Sequence, residues 1–320
     1  MADVNFEIVP FTTPASTTGT IDITSAGFGT PKAVMFFSGP TDIGDGAVSD
    51  NAFIGLGFTD GTNQASCGAS GGDAVSESNT TRIASNAHCL SYSWGPIADN
   101  DILVQGEFTQ WITDGVRLNL TTNTASSKKL YAIFINGADV EAHVTSAKLD
   151  VGTAPTNVTT PWEPSVVFIG SIGDNSGVVS DLGNGLYASG IAINAAPIEN
   201  RLVAFSMPSL KATTNTTSIT SNTACTGQWF NDAYIWDAAV TAFSPTGFTL
   251  TPNATPNGDY VYCLSLKFAG DAQFTSFDST IPTTGGYSET LGFAPTFVSI
   301  FTSIGNPTRN VLSNTGGAGI

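Results

Sequence analysis

The chain has 320 residues, of which 41% are hydrophobic and only 11% charged, and it carries a formal net charge of −16. The apolar content is enough for two or three cores of ordinary size, while the charged share is under half the usual ~25%. The acidic balance, with ten scattered basic residues, excludes the Lys/Arg patch that nucleic acid or an anionic membrane surface requires.

Solubility falls instead to Thr, Ser, Asn and Gly, which disfavour helix and suit strands joined by tight turns. No run of about 18 apolar residues marks a transmembrane helix. The opening MADVNFEIVP has no basic segment followed by an apolar run, so the expectation is synthesis in a cytoplasm without a secretory leader. Cys67, Cys89, Cys225 and Cys263 include no CxxC pair, which argues against zinc. Cys67 with Cys89 and Cys225 with Cys263 are the pairings that repeated modules allow. The expectation is four small buried thiols.

Residues 5–24 hold two strand signals, NFEIV and GTIDIT, around a segment with Pro10 and Pro14 that reads as a loop or an interrupted edge strand. Next comes GFGTPKAVMFFS (27–38): a turn permitted by glycines, Pro31, then an apolar strand that should be buried on both faces. Residues 39–51 read as a Gly/Asp loop, AFIGLGF (52–58) as a strand, and 59–80 as a long mobile loop. HCLSYSW (88–94), ILVQGEFTQW (102–111), VRLNL (116–120) and LYAIFI (130–135) complete a set of strands, with a turn at Thr113-Asp114-Gly115.

The order then repeats. VVFIG (166–170) answers AVMFF, and GVVSD (177–181) matches GAVSD (46–50), both read as loop. RLVAFSM (201–207) takes the place of the polar loop. ACTGQWF, YIWDAAVTAF, FTL and YVYCLSLKF follow in sequence. EAHVTSAKLD (141–150), the best helix candidate, alternates as well as it spirals and reads as strand. Pro31, Pro164 and Pro295 stand 133 and 131 residues apart, and a fixed period decides architecture.

The expectation is therefore an all-β chain of tandem antiparallel β-sandwich modules, jelly-roll or Ig-like, with a period of about 131 residues and about eight strands each. Module boundaries fall at 1–138 and 139–270, with 271–320 the start of a third module. The modules should lie like beads in a row. Their seams fall at Gly27, Phe28 and Pro31, at Pro164, and at Gly292, Phe293 and Pro295. The brevity of the third copy carries the expectation of a longer parent chain, the alternative being completion by another chain.

The repeat resembles modules of structural proteins from tailed bacteriophages and prophages. The residues that carry the resemblance are the Gly27-Phe28…Pro31 turn leading into Val34–Phe37, the Asp114-Gly115-Val116-Arg117-Leu118 strand and the closing Tyr131-Ala132-Ile133. Their second-copy counterparts are Val167-Phe168-Ile169 after Pro164, Gly247–Leu250 and Tyr262-Cys263-Leu264, and the third copy keeps Gly292–Pro295. The second copy departs at Pro161-Trp162-Glu163, where GF is lost. The resemblance implies a head fibre, decoration or tail protein, made in the host cytoplasm and located in the virion. Its partners would be other virion proteins and further copies of itself, a trimer among the arrangements.

No catalytic constellation is expected. His88 stands where the second copy has Ala224, and His143 is isolated. GASGG (68–72) lacks the lysine and helix of a phosphate loop, and the Asp pairs 42/45 and 99/101 sit in turns that Asp favours anyway. No cofactor is expected. Asp42, Asp45, Asp50, Asp174 and Asp181 are the best calcium candidates, since hard cations take several oxygens from one loop. Their alternative role is as solvated turn acids. Trp94, Trp111, Trp162, Trp229 and Trp236 are weighed as sugar-stacking platforms, with core the expectation. The functional expectation is a non-enzymatic virion structural protein. The alternative is a carbohydrate-binding adhesin meeting host surface glycans.

Overall fold

The computed structural model describes residues 3–39, 51–72, 80–93, 102–123, 127–173, 179–182, 185–207, 217–230, 233–269, 300–301 and 318–319. Among these there is no helix, and the elements are antiparallel strands. The first ten are β1 (Asn5–Thr12), β2 (Gly19–Thr24), β3 (Ala33–Ser38), β4 (Asn51–Thr59), β5 (Gln64–Gly72), β6 (Thr80–Ser85), β7 (Leu90–Ser93), β8 (Ile102–Ile112), β9 (Gly115–Asn123) and β10 (Lys129–Asn136). They form a large sheet, β1-β10-β3-β4-β5-β6, and a small one, β2-β9-β8-β7.

The next group is β11 (Val140–Lys148), β12 (Thr156–Thr159), β13 (Val166–Ser171), β14 (Val179–Leu182), β15 (Gly185–Ile193), β16 (Glu199–Met207), β17 (Thr217–Ser221), β18 (Thr226–Phe230), β19 (Ala233–Ser244), β20 (Gly247–Pro252) and β21 (Tyr260–Phe268). Leaving β14 aside, these repeat the first arrangement strand for strand: β11-β21-β13-β15-β16-β17 and β12-β20-β19-β18. A short pair, β22 (Ile300–Phe301) with β23 (Ala318–Gly319), follows. Gly292, Phe293 and Pro295 lie outside the described residues.

Each sandwich closes over its own core. Phe36, Phe53, Tyr92, Leu118, Leu120 and Phe134 fill the first, and Trp236, Leu250, Val261 and Ile169 are among those filling the second. A shared device sets how closely the sheets approach. A Cβ on Gly57 of β4 would lie 1.8 Å from the Cys89 carbonyl oxygen, and one on its equivalent, Gly190 of β15, 2.0 Å from that of Cys225. Only glycine lets the β7 and β18 entries sit against the large sheets.

The two sandwiches do not follow one another like beads. The outer faces of their large sheets stack together. Met35, Leu56, Phe58 and Ile133 meet Phe168, Tyr187, Phe205 and Leu264 in one buried cluster. β5 passes over β11, β21, β13 and β15 of the other sheet, so the strands cross rather than run alongside. Asp60, in the β4–β5 turn, ties the far end down by accepting the Val144 amide at 2.7 Å.

Two further expectations change here, and the edge-strand alternative for Pro10 is met. Residues 59–80 contain β5 in place of a mobile loop. Its sequence QASCGASGG has little side chain because two sheets close on it. Its hydroxyls are satisfied locally, Ser66 by Ser91 at 2.7 Å and Ser70 by Thr81. Val179–Asp181 of the GVVSD segment, read as loop, lie in β14, which pairs with β6 and adds a seventh strand to the large sheet of the other sandwich. Pro10 sits within β1, an edge strand, where a missing amide is tolerated.

Gly57→Ala should destabilise the chain by about 1–3 kcal/mol through overpacking. Gly39→Ala, where an added Cβ meets nothing within 4 Å, should be near neutral. Denaturant titration of the two variants separates the outcomes.

Candidate functional site

The GFG turn before β3 is held by a carboxylate from a distant turn. Asp114, between β8 and β9, adopts a left-handed backbone (φ 60°) that Asp and Asn tolerate better than most residues. Its Oδ1 accepts the Gly29 amide at 2.8 Å, and the Gly27 amide also donates to the carboxylate. These two amides hold its pKa below the usual carboxylate value. Its own carbonyl accepts the Ser25 amide at 2.8 Å. Phe28, between the two glycines, packs on Phe134 with ring centroids 5.7 Å apart. Phe28 thus packs on the first sandwich's own core.

In the second sandwich Thr246 replaces Asp114, and its carbonyl still accepts the Thr160 amide at 3.0 Å. The carboxylate and the GF pair are lost together, which accounts for the departure at Pro161-Trp162-Glu163. Beside the clasp lies a recess of about 330 Å³ lined by Asn5, Phe6, Glu7, Ala26, Gly27 and Phe28. The Ser25 hydroxyl donates to Glu7 there, so that carboxylate is already engaged.

A Ser–His–carboxylate row exists at His88. Its Nδ1 lies 2.9 Å from Ser85 Oγ, and its Nε2 lies 3.2 Å from Thr121 Oγ1 and 3.5 Å from Glu107 Oε1. Burial lowers the His88 pKa, opposed by Glu107, so the ring is neutral near pH 7. Ser85 is 2% exposed, and its oxygen accepts the Ala87 amide. Ser221 accepts the Thr223 and Ala224 amides in the same way, without a histidine. Turn capping therefore accounts for Ser85. His143 sits 3.7 Å from Asp60, at the contact between the two sandwiches.

All four cysteines are free and buried. Cys67 faces the core between sandwiches and Cys89 the core within the first, on opposite sides of one sheet, which rules out their pairing. Burial raises every thiol pKa, Cys225 to about 12, so these are inert as nucleophiles.

Of the calcium candidates, Asp42, Asp45, Asp50 and Asp174 lie outside the described residues. Asp181 is in β14, opposite Arg82. No group of three or more His, Cys, Asp or Glu able to hold a metal occurs among the described residues.

The tryptophans divide. Trp236 is fully buried. Trp111 is half-buried, 4.7 Å from Phe108 between centroids. Trp162 is half-buried beneath Lys267 Nζ, 5.9 Å away. Trp229 lies in β18 opposite Tyr234, and Trp94 is outside the described residues. Tyr234 and Ile235, at 46% and 41% exposure, are the exposed large side chains of the β19 start. Sequence reading passed over them and over the Asp114 clasp. The joint loss of Asp114 and GF in the second copy was the signal available for the clasp.

Comparison with known proteins gave no matching family model, no matching curated protein and no matching solved structure.

The Asp114 clasp carries a pH signature. A carboxylate whose folded pKa is depressed adds stability above its unfolded value, near 3.9, and loses it as pH falls through the folded pKa. Asp114→Asn, which keeps the left-handed backbone, should be less stable than the parent at pH 7 and converge with it as pH falls through the lowered pKa of Asp114. Asp114→Ala should lose more at pH 7, since alanine also strains the backbone. Melting curves across pH check both.

Proposed function

We propose that this chain is a non-enzymatic structural protein of a virion: a fibre or decoration element built of repeated β modules. The observation that carries the reading is the joined pair of sandwiches. Two units of identical strand order are fixed through a broad apolar face and stitched by a strand that one lends to the other. Such a body is stiff and extended in sequence by repetition, which is what a projecting appendage needs. Inert buried cysteines and a strongly acidic chain suit a particle surface that must stay dispersed. Partners would be capsid or tail proteins and other copies of the chain.

The adhesin reading is favoured by one observation, the exposed Tyr234 and Ile235 beside the β18–β19 turn. An aromatic face with an adjacent apolar side chain is a surface on which a sugar ring can stack.

Immunogold electron microscopy of particles from the source culture should show labelled virions, and unlabelled virions would overturn the structural reading. Glycan-array binding that is lost in Tyr234→Ala would establish the adhesin reading alongside it.

A further inference from the structure

Two Asn-Gly pairs lie wholly within the described residues, Asn136-Gly137 and Asn257-Gly258. A third, Asn184-Gly185, begins outside them. Such a pair carries a latent reaction. The glycine nitrogen, unhindered because its residue has no Cβ, can attack the side-chain carbonyl carbon of the asparagine. Whether the two atoms can meet depends on the fold, and the fold treats the two described pairs differently.

Asn136 ends β10, and its backbone pairs opposite Asn5 of β1. Its Nδ2 donates to the Phe28 carbonyl at 3.4 Å, inside the clasped turn. Gly137 is pressed against the start of the chain, where an added Cβ would lie 1.9 Å from the Asp3 carbonyl oxygen. Asp3 holds the next residue as well, since the Ala138 amide donates to its Oδ2 at 3.0 Å. Ring closure at Asn136 therefore requires the β1–β10 edge to open.

Asn257 is exposed in the turn between β20 and β21. Gly258 takes a φ of 73°, which glycine reaches without steric cost. Neither the Asn257 side chain nor the Gly258 amide has a hydrogen-bond partner among the described residues. Only the Asn257 main-chain amide is held, by Asp259 Oδ2 at 3.3 Å. Rearranging such a turn costs far less free energy than opening a paired strand.

We infer that Asn257 is a site of spontaneous covalent modification, and that the fold withholds Asn136 from the same reaction. The Gly258 nitrogen gives up its proton and bonds to Asn257 Cγ. The Cγ–Nδ2 bond breaks, and the side-chain nitrogen leaves as ammonia with a proton in place of the lost bond. Water, the sole co-reactant, then opens the cyclic imide at either carbonyl. One product is aspartate on an unchanged main chain. The other is isoaspartate, whose main chain is longer by a methylene. Both place a new carboxylate beside Asp259, which is 5% exposed. The Asp259 carbonyl accepts the amide of the core residue Leu149 at 2.9 Å, so the change falls where the start of β21 meets the end of β11.

Ageing the full chain in mildly alkaline buffer, with peptide mass mapping at intervals, tests this. The peptide holding Asn257 should gain the mass of an amide-to-acid conversion and separate into aspartate and isoaspartate forms. The peptide holding Asn136 should stay unchanged over the same period. In guanidinium the difference should vanish, because both pairs then react as unfolded chain. Conversion should slow in mildly acidic buffer, since the attacking nitrogen must lose its proton. Equal conversion of the two in the folded chain, none included, overturns the inference. So does faster conversion at Asn136, a difference that survives unfolding, or a rate that rises on acidification.

Discussion

The apolar contact between the two large sheets is the constraint on which the rest depends. A sheet with a small sheet on one face still has a second face to cover. Here the second face of each sandwich is covered by the other sandwich. That explains why β3, β10, β13 and β21 read as largely apolar runs rather than alternating ones. Their side chains are buried on both sides, as Val34 and Phe36 in the inner core and Ala33 and Met35 in the shared one. Neither sandwich is complete without the other, because separation would expose Phe168, Phe205, Leu264 and their neighbours to water.

The fit is made by unequal partners. Cys67, Ala69 and Gly71 on β5 are small, and their equivalents on β16 are Val203, Phe205 and Met207. A repeated unit that packs against its own copy through identical side chains would place bulk against bulk where equivalent positions meet. Dividing the volume, with small residues on one strand and large on the other, lets β5 lie close across the second sheet. At these equivalent positions the two modules differ in size where they touch.

The all-β class, the repeat and the placement of RLVAFSM where the first copy is polar were legible because they rest on composition and on spacing along the chain. Two features were not. QASCGASGG carries no strand signature, since small polar residues are also what loops contain. What makes it a strand is a sheet on either side, supplied by residues far away in sequence. GVVSD was visible as a repeated segment, but the partner of its described part, Val179–Asp181, is β6, in the other module. The Asp114 carboxylate likewise reads locally as a turn acid, and its partners Gly27 and Gly29 lie about 85 residues earlier. The tryptophan assignments separate on the same ground. Trp236 is core because β19 turns it inward, and nothing in its neighbours distinguishes it from the half-buried Trp162.

The lent strand also sets a timetable for synthesis. β6 is made long before β14, with more than 90 residues between Ser85 and Val179. At about 5–20 residues per second, the edge of the first large sheet stands open on the ribosome for several seconds. A bare edge invites pairing with neighbouring nascent chains, and a charged residue within it is the usual deterrent. Arg82 lies at the middle of β6, and β17, made shortly before the chain reaches β18, has Ser218 at the equivalent place. The arginine stands on the strand that must wait for its cover.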